Sequence, residues 1–190
     1  MIEQYLTLTS DECNTIIDVF NNDDRRSPGK VGKGKIDPLF KASTDINADF
    51  NKEEYNQYNT IIHDPLTDAI NHFVDDYPHL KDGDRFGIWS SYNLQHYKDG
   101  EGYSKLHWEW MPFYNHHYNF RMMAWMINLN DAQSGTYFPV QDITTIAKQG
   151  VCTLWPAYWT HPHKGVTPNI GDKYIATGWV NYVPVKDEDT

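Results

Sequence analysis

The chain has only two cysteines, no long apolar run and few basic residues. Cys13 and Cys152 lie far apart in the sequence and form no Cys-x-x-Cys pair, which argues against a disulfide framework and favours a reducing, cytoplasmic location. No stretch approaches the roughly 18 apolar residues of a membrane span, and the N-terminus lacks the apolar core of a signal peptide. We therefore expect a soluble protein with no membrane partner.

The shortage of basic residues also bears on binding partners. There are 16 Lys and Arg against 26 Asp and Glu, which gives a formal net charge of −10. Nucleic acids and anionic membrane surfaces attract basic proteins, so this balance argues against both as partners. The basic run RRSPGKVGKGK at 25–35 is glycine-rich and is predicted to be a solvated loop. Composition does not indicate an oligomeric state.

The pattern of the 190 residues predicts a single domain, mainly β with N-terminal helices. Residues 1–84 are predicted to form a helical support with a flexible loop, and residues 85–184 a β-barrel core. We predict helices at 10–21, with Ser10 as the N-cap, and at 52–77, with an interruption near Pro65. After residue 85, short runs of β-branched and aromatic residues between glycine-containing turns predict a sandwich, jelly roll or barrel.

The segment LHWEW, residues 106–110, carries the first candidate site residues. If it is a strand, His107 and Glu109 face the same side and Trp108 the other. A third ligand from WTHPHKGVTP, either His161 or His163, would complete a two-histidine, one-carboxylate set of the kind that binds iron(II) on one face. The alternative is that these are ordinary polar residues on a solvated strand, because an isolated His-x-Glu often arises by chance.

The segment KYIATGWV carries the second candidate feature. Lys173 is in phase with Ile175, Thr177 and Trp179 on one face of a predicted strand, where a buried ammonium needs an anionic partner. A bound dicarboxylate would supply that partner, and Thr177 would add a hydrogen bond. The alternative is a lysine at the exposed start of the strand.

Taken in order, these segments resemble the iron(II)- and 2-oxoglutarate-dependent oxygenases, in their prolyl 4-hydroxylase-like branch. The matching segments are LHWEW, INLNDAQSGTYFP, LWPAYWTHPHKGVTP and GDKYIATGW, within about residues 88–182, and LTSDECNTII is similar to the family's opening helix. The resemblance implies a double-stranded β-helix, a cupin-like jelly roll, with helices packed on one side.

The resemblance also implies an iron-ligand set of His107, Glu109 and His163. The ten-residue spacing to Lys173 favours His163 over His161, which is left as an outer-shell or merely polar residue. Glu109 departs from the commoner Asp; its longer side chain can still ligate, and a carboxylate at this position argues against the halogenating variants.

For 2-oxoglutarate, the resemblance implies that Lys173 pairs with the distal carboxylate and that Tyr97, Thr177 and Trp179 contribute to the same binding site. Asn128 stands where relatives often have a tyrosine that faces the cosubstrate, so the anchoring of 2-oxoglutarate is expected to differ there.

The implied activity is hydroxylation of an unactivated C–H bond, with a peptidyl proline as the leading substrate and iron(II), 2-oxoglutarate and O2, with ascorbate as an accessory reductant, as cofactors. A peptide, a protein or a small molecule such as a free amino acid remains open as the partner. The alternatives are a cupin-like metal protein, for example a zinc hydrolase or isomerase without redox chemistry, and an interaction module that has lost catalysis.

Three further features receive weaker assignments. Arg121 is expected to be a surface or strand-end charge, with substrate binding as the alternative. His116 and His117 are expected to be loop residues, with a gating or substrate role as the alternative. Residues 24–44, or the loop 111–119, are candidates for a flap that closes over substrate.

Overall fold

The computed structural model describes residues 1–32, 34–110, 120–167 and 170–183. It contains two helices, α1 (Ser10–Asn21) and α2 (Asn56–Asp76), and short 3-10 turns at Glu53–Tyr55 and Pro78–Asp82. In chain order, the strands are β1 (Glu3–Leu6), β2 (Ser27–Pro28), β3 (Lys41–Ala42), β4 (Thr44–Asp49), β5 (Phe86–Ile88), β6 (Ser91–Tyr97), β7 (Gly102–Tyr103), β8 (Arg121–Asn128), β9 (Thr136–Phe138), β10 (Ile143–Thr144), β11 (Val151–Pro156), β12 (Lys164–Gly165) and β13 (Lys173–Tyr182).

A large antiparallel sheet forms the framework, in the order β1, β11, β8, β13, β6, β4 and β2, and β5 pairs with the C-terminal part of β13. Its interior strand β8 is buried at every position, so both faces of the sheet are covered there. On one face, Gly178 lies against the ring of Trp125, where an added Cβ would approach ring atoms to 2.7 Å. The close packing of these two cross-strand partners on β13 and β8 therefore requires glycine.

The two faces of the sheet are covered by different elements. The helices pack on one face, where residues of α1 and α2 join Leu94, Trp125 and Ile127 in the main core. The other face is covered by the small sheet β10-β9-β12, whose Phe138 packs edge-to-face on Trp155 at 5.6 Å. This arrangement confirms the predicted fold, a mainly β double-stranded β-helix with helices on one side.

The helices differ in detail from the sequence prediction. The N-cap of α1 is Thr9 and not Ser10, because Thr9 accepts from the backbone N–H of Glu12 while the Glu12 carboxylate accepts from the N–H of Thr9. Helix α2 continues through Pro65, so the predicted interruption is wrong. The apolar stripe that includes Ile62 and Leu66 stays buried on both sides of the proline, and this packing outweighs one missing hydrogen bond.

The N-terminal part of the chain contributes more than helices. Strands β1, β2 and β4 all precede residue 85 and belong to the main sheet, and β3 pairs with β7. The division at residue 84 and the assignment of one domain stay predictions. Within the described residues, no helix has both the length and the apolar character needed to cross a membrane.

Candidate active site

His107 and His163 lie side by side although 56 positions separate them. The backbone N–H of His107 donates to the carbonyl of His163 at 3.0 Å, and the reverse bond is 2.8 Å. The segment 106–110 does not form the predicted regular strand, because the N–H groups of Glu109 and Trp110 both donate to the carbonyl of Ala157. The chain therefore bends at Glu109 and turns its side chain toward the two histidines.

Each of the two histidines is held by a backbone carbonyl. His107 Nδ1 lies 2.8 Å from the carbonyl of Lys105, and His163 Nδ1 lies 3.1 Å from the carbonyl of His161. A carbonyl only accepts hydrogen bonds, so each Nδ1 donates a proton to it and Nε2 is the ring atom that would coordinate a metal. This is the arrangement that orients histidine ligands in metal sites.

The carboxylate of Glu109 closes the cluster. Its Oε1 lies 3.5 Å from Nε2 of His107 and 3.3 Å from Nε2 of His163, and ligand atoms of all three residues lie within 4.8 Å of one another. Burial alone would raise the pKa of Glu109, but hydrogen bonds and charge from the two histidines hold it well below its ordinary value. The carboxylate is therefore ionised at neutral pH, as a metal ligand must be.

The second oxygen of Glu109 is bound by two further side chains. Trp179 Nε1 donates to Oε2 at 2.9 Å, and Arg121 Nη1 lies 3.4 Å from Oε2 and donates to the backbone carbonyl of Glu109 at 2.9 Å. The Arg121 guanidinium stacks 3.5 Å over the Trp179 ring. Arg121 does begin a strand, as one of the two expectations had it, but it is buried, so the expectation of a surface charge is wrong. The sequence held a signal for this, because Arg121 opens the apolar run RMMAWMI, where a buried charge needs a partner.

Lys173 is buried in the same cavity, 7% exposed, so the alternative of an exposed strand start is wrong. Its Nζ donates to the carbonyl of Ser134 at 2.8 Å, and burial lowers its pKa to about 8. Among the described residues, no carboxylate forms an ion pair with it. The turn that presents Ser134 requires Gly135, since a Cβ there would lie 1.9 Å from the Thr145 carbonyl.

Of the other predicted residues, Tyr97 and Thr177 line the same cavity, and Asn128 pairs with Ile175, two positions after Lys173 in β13. Tyr97 is the cross-strand partner of Lys173 and donates to Gln95 Oε1 at 2.7 Å, while burial raises its pKa far above the usual value. The hydroxyl of Thr177 donates to the Trp125 carbonyl at 2.7 Å. Asn128 is fully buried, and its Oδ1 has no partner among the described residues. Gln95 was missed, because a glutamine in a strand gives no distinctive signal.

The structure places Trp179 at the Glu109 end of the cavity, where its indole N–H is already bonded to the carboxylate, and it also lines the wall. The whole cavity has a volume of about 1270 Å³, and part of the predicted flap lines it, namely Lys30, Val31, Gly32, Gly34, Lys35, Asp37, Phe40 and Lys41. Whether this segment moves stays a prediction. Trp108 is 44% exposed and lies among the residues that line the cavity, so its predicted orientation to the opposite face stays a prediction.

Two histidine predictions have different outcomes. The carbonyl of His161 accepts from His163 Nδ1, while its own Nδ1 lies 3.0 Å from Thr160 Oγ1, so its ring lies outside the cluster. Burial lowers the pKa of His161. His116 and His117, and with them the loop 111–119, lie outside the described residues.

The chain is similar to known proteins in structure and not in sequence. No family model matches the chain, and no curated protein matches it in sequence. The viral collagen prolyl hydroxylase of Paramecium bursaria Chlorella virus-1, solved with 2OG, is 18% identical with a TM-score of 0.66, over 96% of this chain and 96% of that one. The Pseudomonas putida prolyl-4-hydroxylase is 14% identical with a TM-score of 0.65, over 95% and 92%.

A third solved structure is the prolyl hydroxylase of Trichoplax adhaerens in complex with a hypoxia inducible factor peptide. It is 12% identical with a TM-score of 0.70, over 95% of this chain and 83% of that one. At such identities the comparisons establish the fold. They confirm the fold that the sequence resemblance implied, across nearly the whole chain.

Proposed function

We propose that the protein is an iron(II)- and 2-oxoglutarate-dependent dioxygenase that hydroxylates an unactivated C–H bond. The observation that carries the proposal is the convergence of His107, Glu109 and His163 in a cavity that also contains the buried ammonium of Lys173. Two imidazoles and one carboxylate with open positions are the donor set of non-haem iron oxygenases. The prolyl hydroxylase fold supports the same assignment.

The three proposed ligands fit a metal ion in chemistry and spacing. Separations of 3.3 and 3.5 Å between Glu109 Oε1 and the two Nε2 atoms allow one ion to contact all three through bonds of about 2.1 Å. The backbone carbonyls that hold the two Nδ1 atoms leave both Nε2 atoms facing Oε1 of Glu109, where a bound ion would take their lone pairs. Iron(II), with 2-oxoglutarate and O2, would supply the oxidising chemistry for hydroxylation, with ascorbate as an accessory reductant.

Lys173 is the proposed anchor for the distal carboxylate of 2-oxoglutarate. Its ammonium is desolvated and donates to the carbonyl of Ser134, and no carboxylate among the described residues forms an ion pair with it, so a bound carboxylate would offset the cost of its burial. Tyr97 and Thr177 are the proposed lateral contacts in the same cavity. Both hydroxyl protons are already donated within the protein, and 2-oxoglutarate has only acceptor oxygens, so these are proposed as packing contacts and the predicted hydrogen bond from Thr177 is not available in this arrangement. Asn128, which pairs with the cavity residue Ile175, stands where relatives often have a tyrosine contact.

The proposed substrate is a peptidyl proline. Three solved structures with this fold are prolyl hydroxylases, one of them bound to a peptide. The cavity, at about 1270 Å³, exceeds the 300–1,000 Å³ typical of small-molecule sites. A free amino acid or another small molecule remains the competing substrate class, and a cytoplasmic location stays a prediction.

A non-redox metal site is the second candidate, because two histidines and a glutamate also bind zinc in hydrolases. Such a site explains His107, Glu109 and His163 and leaves Lys173 without a role. The buried lysine therefore favours the oxygenase over a zinc hydrolase or a binding module.

The two candidates separate in an anaerobic titration. With iron(II) and 2-oxoglutarate, an oxygenase develops a weak visible charge-transfer band, and we expect this band to be lost in His163→Ala and greatly weakened in Lys173→Ala. Lys148→Ala removes an exposed lysine paired with Asp131 and should leave the band unchanged. Tight zinc binding without any iron band in the wild-type protein would support the hydrolase.

Substrate class is tested separately, by mass spectrometry. Proline-containing peptides should gain one oxygen atom in step with succinate release, and peptides with the proline replaced by alanine should not. Coupled oxidation of free amino acids, with no turnover of any peptide in a proline-scanning library, would move the assignment to a small-molecule hydroxylase.

A further inference from the structure

We propose that Arg121 and Trp179 are positioning residues that hold the second oxygen of Glu109, so that only Oε1 is offered to the metal. The inference rests on the proposed metal site and extends it to two side chains outside the ligand set. We call these two residues, with Glu109, the carboxylate clamp.

The clamp restricts how Glu109 can coordinate. A carboxylate with both oxygens free can bind a metal through either or both, and a two-oxygen mode would occupy a second coordination position. Here Oε2 accepts from Trp179 Nε1 at 2.9 Å and lies 3.4 Å from Arg121 Nη1, while Oε1 faces the two imidazoles. Donation to Oε2 stabilises one-oxygen coordination and leaves room at the metal for a chelating cosubstrate.

The clamp also accounts for a glutamate at this position. Glutamate has one more rotatable bond than aspartate, and that freedom must be removed for the ligand to be preorganised. Arg121 Nη1 contacts both the backbone carbonyl of Glu109 and the far oxygen of its side chain. The guanidinium thus links the backbone of Glu109 to its carboxylate and restricts rotation about the side-chain bonds between them.

The donors are themselves held by the main sheet. Arg121 begins β8 and Trp179 lies in β13, two paired strands, and the guanidinium stacks on the indole ring at 3.5 Å. The N–H of Glu109 donates at 3.1 Å to the carbonyl of Ala157, which directly follows β11 and whose own N–H donates to the carbonyl of Met122 of β8. The donors therefore lie on the main sheet, and the backbone of Glu109 is held one residue beyond its edge.

The test measures Mn(II) affinity of the metal-free protein by electron paramagnetic resonance. Trp179→Phe keeps a ring for Arg121 and removes the N–H, and we expect about tenfold weaker binding. Trp159→Phe, at an indole that is 69% exposed, is the matched control and should bind Mn(II) like the wild type. Thermal unfolding of the metal-free variants checks the fold; if Trp179→Phe does not fold, Arg121→Lys, which keeps the charge and loses the planar fork, carries the same prediction.

A double-mutant cycle separates the clamp from general disturbance of the site. In Glu109→Asp the side chain is one methylene shorter, and we expect that its carboxylate cannot bind the metal and accept from the indole N–H together. Adding Trp179→Phe to this variant should therefore lower Mn(II) affinity less than about twofold. The same tenfold loss in both backgrounds, or no loss in either, overturns the clamp. If the wild-type protein binds no Mn(II), the proposed metal site itself is wrong; if it binds and Trp179→Phe binds equally well, only the clamp is wrong.

Discussion

The two ends of the cavity differ in how their polar groups are satisfied. At the histidine end, both Nδ1 atoms and Oε2 of Glu109 have partners within the protein, and three ligand atoms remain directed at one point. At the lysine end, the buried Nζ of Lys173 has one carbonyl and a lowered pKa. The histidine end is therefore preorganised to bind a cation, whereas the lysine end holds a buried cation that has no ion-pair partner among the described residues.

This difference assigns separate tasks to the two ends. Preorganised ligands bind a metal without reorganising, while a desolvated ammonium gains most from a carboxylate that arrives with the cosubstrate. Changes at one end should therefore affect one ligand and spare the other. The following predictions test that separation.

The largest effect is expected from Glu109→Ala. Loss of a direct ligand should weaken metal binding by more than the roughly 100-fold that follows loss of an outer-shell partner. Because the side chain lies in the site and outside the apolar core, the metal-free variant should keep its circular dichroism and melt close to the wild type. Glu53→Ala, an exposed carboxylate, is the control. Unfolding of the metal-free variant would mean that the carboxylate is structural.

Lys173→Met should weaken 2-oxoglutarate binding by about 10- to 100-fold, the value of a hydrogen bond to a charged group. Binding of Mn(II) alone should change less than about twofold, because Lys173 is bonded to Ser134 and not to a proposed ligand. Calorimetry of the Mn(II) and 2-oxoglutarate steps measures both quantities. Equal losses in the two steps would remove the distinction between the ends.

The pH dependence of 2-oxoglutarate binding should report on the same ammonium. Its pKa of about 8 means that the free protein loses this charge as the pH rises through 8, and affinity should then fall about tenfold per pH unit. Lys173→Arg stays charged and should lack this step. The unfolded chain, with the ordinary value of 10.5, binds more protons between pH 8 and 10.5, so this group makes the cosubstrate-free protein more stable as the pH rises across that window.

The smallest effect is expected from Thr177→Val. The hydroxyl proton is donated to the Trp125 carbonyl, so its loss should cost about 1 kcal/mol in the free energy of unfolding. Affinity for 2-oxoglutarate should fall less than about threefold, since the hydroxyl has only acceptor capacity left to offer. Chemical denaturation and calorimetry give the two values. A tenfold loss of affinity would show that Thr177 contributes as much as a charged anchor.

The part of the site that depends on local spacing could be predicted from sequence. His107 and Glu109 are two positions apart, and Lys173 follows His163 by ten, and the family resemblance carried by this motif order implied that these residues share one site. The predicted strand at 106–110 was wrong for a reason that the sequence does not contain. The carbonyl of Ala157, 48 positions from Glu109, accepts both local N–H groups and bends the chain there.

The part that depends on long-range packing was not predicted. Arg121 was predicted to be a surface or strand-end charge, and its burial was missed because its partners are 12 and 58 positions away and only the tertiary contacts show that they meet. Pro65 was expected to interrupt α2, since propensity takes no account of the buried stripe on either side. Sequence pattern thus predicted the fold class and the ligand spacing, while the side chains that hold the ligands became evident only from tertiary contacts.

The most direct test of the account is a crystal structure of the anaerobic complex with Mn(II) and 2-oxoglutarate, with the metal located by anomalous scattering. The account predicts one metal bound by Nε2 of His107, Oε1 of Glu109 and Nε2 of His163, and the distal carboxylate of 2-oxoglutarate within hydrogen-bonding distance of Lys173 Nζ. A metal bound elsewhere, or a cosubstrate whose carboxylates both avoid Lys173, would contradict it.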